Sequence, residues 1–215
     1  MTTTEPPPLP TSPLPPAEPF ALGELQACLY RPHRTLDIVL ADRARLVASV
    51  RCGKELLALV AVLALCSITF AVPFAAVDGS RRLGHVAILF LGSVLLCFPS
   101  LQVFGSYLGI RLSLAQNFAL SLVIPSAAAL FTFGFFPIYW FLDATMPPDG
   151  ALTGRTTRVV LLVCSMLLAL SHCNRCLFLD PSLKAFRSSW PLWIGWQVLL
   201  LFITYRMADT LGMFA

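Results

Sequence analysis

The chain has 215 residues, 57% of them hydrophobic and 12% charged, with a formal net charge of +4 and a mean hydropathy of +0.78. A soluble domain usually carries about 25% charged residues, so this composition excludes an ordinary water-soluble globule and fits a chain whose main solvent is lipid. Seven cysteines, three of them (Cys66, Cys97 and Cys164) inside apolar runs, read as small hydrophobes and not as a secreted disulfide framework.

Residues 1–20 hold eight prolines, and Pro7, Pro10, Pro13, Pro16 and Pro19 fall every third residue. That spacing puts them on one edge of a polyproline II helix, and the composition reads as a disordered, solvated cytoplasmic leader. Ligand activity toward a proline-binding domain is the functional alternative. The first long apolar run begins only near Leu56, so no signal peptide is apparent and the first span serves as its own insertion signal.

Residues 21–54 form a second unit. Leu36, Val39, Leu40, Val47 and Val50 recur at helical spacing, with Thr35 as the expected cap and Asp37 in the first turn. Thr35 to Val50 is therefore expected as an amphipathic helix on the membrane surface, with docking of a protein partner as its other reading.

Residues 55–215 are expected as a transmembrane helical bundle. Its five apolar segments are Leu56–Val77, Val86–Tyr107, Phe118–Leu142, Val159–Leu179 and Trp190–Tyr205. The central one has no acidic, basic or histidine residue over a length that matches the hydrocarbon thickness. Tyr139, Trp140 and the tryptophans Trp190, Trp193 and Trp196 are expected at the membrane boundary. With the N-terminus inside, ten Lys and Arg fall on inner segments and five on outer ones, which favours a cytoplasmic N-terminus.

Pro99, Pro125 and Pro137 stand within spans, where each removes a backbone donor and bends its helix. The stronger bend is expected near Gly134–Pro137, holding a groove against the second span around Pro99 to Gly105. Gln102 and Gln197 are neutral polar groups inside spans. They bridge helices or, with Gln116 and Asn117, line a path.

His172-Cys173-Asn174-Arg175-Cys176 is the one thiol cluster, expected near the surface if the fourth span stops at Ser171. His172, Cys173 and Cys176 are metal or redox candidates. A closed zinc site needs four ligands, and Cys28, Cys52 and His33 are the others that could join from that side, so no metal or cofactor is expected. Phosphate-loop, nucleophile-elbow and His-Glu-x-x-His motifs are absent from the sequence, and no basic patch is interleaved with aromatics. Neither an enzyme nor a nucleic-acid partner is expected.

Cys28 to Leu36, CLYRPHRTL, resembles the entry of Yip-like integral membrane proteins, where a Pro-x-x-Thr/Ser stretch starts a short helix before the first span. Cys97 to Gly109 is similar to that family's Leu-Gly-ended second span. Ser113 to Gln116, followed by Pro125, is similar to the polar step before its third span. Trp190 to Gln197 resembles a late Trp-x-x-Trp-x-Gly-x-Gln stretch of an uncharacterised bacterial branch. The likeness covers roughly residues 28–200. In the eukaryotic family it implies Golgi and endoplasmic reticulum membranes and small GTPase partners. The Ala-, Leu- and Arg-rich usage points instead to a bacterial inner membrane. The sequence thus gives an all-α polytopic bundle of about five spans, non-enzymatic, a scaffold or membrane-organising component working through its N-terminal region. Its partners are the lipid bilayer, a protein at that region and, as an open option, further copies of itself. A small permease or channel subunit is the alternative.

Overall fold

A computed structural model describes residues 17–73, 83–107, 112–145, 154–179 and 190–212, and the leader of residues 1–20 lies outside it up to residue 16. Among the described residues every regular element is helical. Short helices α1 (Leu22–Tyr30), α2 (His33–Leu36) and α3 (Arg43–Cys52) come first, with a π-helical turn at Asp37–Ala41 between the last two. Five longer helices follow: α4 (Leu56–Thr69), α5 (Leu83–Tyr107), α6 (Leu114–Thr145), α7 (Gly154–Leu179) and α8 (Trp190–Thr210). Gly84–Tyr107 in α5, Leu114–Leu142 in α6 and Thr156–Leu177 in α7 are long and apolar enough to cross a bilayer, and they make the chain a membrane protein. The α4 helix is apolar but has only 14 residues. The α8 helix has the length, at 21 residues, but carries Gln197, Arg206 and Asp209.

The core is built around α6. Every residue from Ala119 to Leu130 is buried, and the small side chains of Ser126, Ala127, Ala128 and Ala129 let neighbouring backbones approach closely. Along one side lies α4, in the same direction: Ser126 Oγ reaches the Leu63 carbonyl at 2.8 Å, and Phe133 meets Phe70 edge-on at 5.4 Å. The α5 helix runs the other way, with Asn117 bonded to Gln102 and Phe118 against Phe98. Antiparallel to α5 is α8, where Trp196 meets Cys97 and Met207 meets Gly92. Near the far end of α6, Tyr139 is bonded by Arg158 from the start of α7. Successive long helices therefore alternate in direction.

The N-terminal segment differs from the single surface helix expected over Thr35–Val50. It is a helical hairpin packed on the bundle. Phe20 donates its N–H to Ser49 Oγ at 2.7 Å, and α1 then runs along α4 until Cys28, Leu29 and Pro32 stand beside Cys66, Thr69 and Phe70. The chain turns at Arg31–Pro32 and returns. Val39 meets His172 of α7, and the Arg51 carbonyl meets Gln116 at the start of α6. Ile38, Val39, Leu46, Val47 and Val50 belong to the same buried core as α6. Thr35 does not cap: it is buried inside α2, whose N-cap is Pro32. The return helix is broken at Asp42, with φ −91° and ψ 51°. An acidic residue that takes up turn geometry and leaves the helix ladder explains why the apolar pattern continues while the helix does not.

A three-residue joint, Gly53 to Glu55, turns α3 into α4. Gly53 closes α3 in the left-handed region at φ 69°, and Glu55 also takes positive φ, at 55°. Glycine occupies that region without cost, whereas a residue with a Cβ is strained there by roughly 1 kcal/mol.

Candidate functional site

Beside the Ser126–Leu63 and Arg158–Tyr139 bonds, polar groups of the described residues form three further helix-to-helix clasps. In the first, Asn174 of α7 faces Trp193 and Gln197, which stand one turn apart on α8 and so share a face. Asn174 Oδ1 accepts the Trp193 indole N–H at 2.6 Å and the Gln197 amide N–H at 2.5 Å, while Asn174 Nδ2 donates back to Gln197 Oε1 at 3.3 Å. Trp196 stacks on Trp193 at 5.2 Å and donates its own N–H to the Cys97 carbonyl of α5 at 3.2 Å. Trp193 and Trp196 are thus buried between helices, while Trp190 is exposed. Tyr139 is likewise turned inward, 1% exposed, against Arg158, while Trp140 remains exposed.

The second clasp joins α5, α6 and α3. Asn117 Nδ2 donates to Gln102 Oε1 at 2.7 Å. Ser113 and Gln116 form a reciprocal capping box at the start of α6, and Gln116 Nε2 also donates to the Arg51 carbonyl at 2.8 Å. One side chain thereby caps α6 and satisfies a last-turn carbonyl of α3.

The third clasp is His172. Its Nε2–H donates to the Val39 carbonyl at 2.7 Å, and Cys176 Sγ lies 3.6 Å from the same nitrogen. The helix break at Asp42 frees carbonyls that a continuous helix would satisfy. His172 takes up that of Val39, and Arg43 Nε takes up that of Leu40 at 3.3 Å. The α7 helix continues unbroken to Leu179, and His172, Cys173 and Cys176 are all buried, not at a surface. Among the described residues no three His, Cys, Asp or Glu side chains are grouped as metal ligands. Cys28 is buried against α4 and Cys52 is exposed beside the joint.

Pro125 is buried in the core, whereas Pro99 and Pro137 are exposed. The groove expected between Gly134–Pro137 and Pro99–Gly105 is corrected by the register: Phe98 packs on Phe118, and Gly105 faces Asn117. That is roughly 25 Å along α6 from Gly134 at 1.5 Å per residue. Proline position alone carried no information about which turn of the neighbour it would face.

Arg45 ties the N-terminal hairpin together. It pairs with Glu24 at 2.8 Å, donates from Nε to the Glu18 carbonyl at 3.2 Å and lies 4.4 Å above the Phe20 ring. The Ala21 N–H and then Arg45 hold the Glu24 carboxyl below its usual value. The hairpin also borders a cavity of ≈ 390 Å³ against α4, lined by Cys28, Leu29, Pro32, Thr35, Val62, Leu65, Cys66, Thr69 and Phe70.

Pattern singled out His172 beside the thiols but could not find its partner, Val39, which lies 133 residues away. Asn174 was visible only as the middle of the thiol cluster. The fold and these clasps define the class: a membrane protein, all-helical among its described residues, whose buried amides and indoles bond helix to helix. A search of family models, curated proteins and solved structures finds no match to the chain.

Proposed function

We propose that the chain is a non-enzymatic integral membrane protein, a scaffold or membrane-organising component, in which α4 to α8 make five crossings. The observation that carries this reading is the bonding of Gln102 to Asn117 and of Gln197 to Asn174 and Trp193. A transport path needs such groups turned toward a shared cavity, and here they are spent on packing. The alternating helix directions support five crossings. The resemblance of residues 28–200 to Yip-like proteins belongs to the same proposal, with α2 opening directly after Pro32 as the short helix of that entry.

The cytoplasm lies on the Gly53 side in this reading, and the membrane is a bacterial inner membrane, or a Golgi or endoplasmic reticulum membrane in a eukaryote. The hairpin turns at Arg31–Pro32 beside the end of α4, which takes Arg31 from the inner count and narrows the bias. Orientation then rests on Arg43, Arg45, Arg51 and Lys54 ahead of the first crossing, where flanking charge weighs most.

With residues 17–52 packed into the bundle, the proposed partner sites are the proline-rich sequence before Ala17 and the exposed face of α1. The test is capture from native membranes by the intact chain and by a chain lacking residues 1–16, beside flux measurements on reconstituted vesicles. The scaffold reading expects a specific partner that is lost with the leader, an unchanged melting temperature and no flux. Solute flux above that of empty vesicles would establish the permease reading instead.

A further inference from the structure

We propose that the cavity between the N-terminal hairpin and α4 holds one acyl chain of an anionic phospholipid, with Arg31 at its mouth on the phosphate. The cavity walls are mainly apolar: Leu29, Pro32, Val62, Leu65 and Phe70, with thiols and threonine hydroxyls making up the rest. An apolar cavity of about 150 Å³ takes one benzene ring. At ≈ 390 Å³ this one holds, in proportion, a chain of roughly 15 carbons.

Leu29 and Leu65 on its wall are 51% and 49% exposed, so the cavity is continuous with the apolar outer surface of a membrane protein. Lipid tails reach it without crossing a polar barrier. Its hairpin end is different. Pro32 lines the wall, and its neighbours Arg31 and His33 are exposed and form no ion pair with any described residue. Tyr30 beside them is 86% exposed. A guanidinium with no ion pair among the described residues matches a phosphate with two parallel hydrogen bonds, and an exposed tyrosine next to it suits the headgroup level. Pro32, between Arg31 and His33, shares the cavity wall with Thr69 and Phe70, where the apolar helix α4 ends. Arg34 does not take part, because it faces Glu24, Asp37 and Arg45 on the other side of the hairpin.

The occupant is therefore amphiphilic and anionic, with its tail along α4 toward Val62. A soluble phosphate compound would use Arg31 but leave the apolar wall unfilled. A neutral lipid would fill the wall but leave Arg31 unused.

The test is photolabelling of the full chain in phosphatidylcholine vesicles with a minor share of phosphatidylglycerol, either lipid carrying a diazirine in its acyl chain. The expected result is labelling of the α1–α2 and α4 peptides above that of the lipid-facing Leu95–Leu96 stretch, stronger from phosphatidylglycerol. Arg31→Gln, an exposed change that leaves packing alone, should lower the phosphatidylglycerol preference about fivefold, the worth of one basic residue at an anionic surface. Leu29→Trp, which fills the cavity from its exposed side, should remove the excess labelling for both lipids. Labelling no stronger than at Leu95–Leu96, or a headgroup preference untouched by Arg31→Gln, would overturn the proposal. Persistent excess labelling in Leu29→Trp would do so as well.

Discussion

Replacing Gln197 and Asn174 by alanine, singly and together, reads the α7–α8 clasp directly. Interhelical hydrogen bonds in membrane bundles are worth about 0.6 kcal/mol each on average and about 1.7 at most. Asn174 takes part in three of them and Gln197 in two, both of which end on Asn174. At the average value Asn174→Ala should cost about 1.8 kcal/mol and Gln197→Ala about 1.2. The double variant should cost only about 1.8 kcal/mol, because Gln197's bonds are already gone, giving a coupling of about 1.2. Leaving one amide buried without its partner raises the single costs and enlarges that coupling. Reversible unfolding of the four proteins in mixed micelles measures it. Simple additivity, with a coupling below about 0.3 kcal/mol, would refute the clasp.

Arg45→Ala should lower stability by about 1–2 kcal/mol through the lost Glu24 pair and Phe20 ring contact, and should expose the Phe20–Glu24 stretch to protease. Because Glu24's carboxyl is depressed in the folded chain, its contribution is present above the ordinary glutamate value near pH ~4.3 and is lost as pH falls through the folded one. Thermal scans across that acid range should show a small loss that Glu24→Gln abolishes. At the α3–α4 joint, Glu55→Gly should stabilise and Gly53→Ala should destabilise, each by about 1 kcal/mol, since both positions hold positive φ. Equal melting temperatures for the two variants would remove backbone strain as the explanation.

Much of the bundle was legible from apolar run length, because a stretch that must satisfy its own backbone in lipid has few alternatives to a helix. The Val86–Tyr107 and Val159–Leu179 expectations end at the observed last residues of α5 and α7. The N-terminal hairpin was not legible. Leu36, Val39, Leu40, Val47 and Val50 announce one apolar face, and that face can lie on lipid or on protein with the same pattern. What decides is a set of distant partners: Ser49 for Phe20, His172 for Val39, Gln116 for Arg51. Aromatic position was equally silent about partners. Tryptophan near the end of an apolar run suggests a membrane boundary, and it does not say that Trp193 and Trp196 are buried on acceptors from α7 and α5. Gln102 and Gln197 were recognised as helix bridges or path residues, and their actual partners, Asn117 and Asn174, lie on other helices whose register the sequence does not carry.

That residues 17–52 belong to the bundle is tested most directly by thiol labelling in the native membrane. Cys28 is buried against α4, and Cys52, at the other end of the same hairpin, is exposed. In chains retaining only one of these cysteines, a polar maleimide should modify Cys52 readily and Cys28 only after denaturation. Equal labelling of the two in the folded chain would contradict the packed hairpin and return the segment to a loose surface arm.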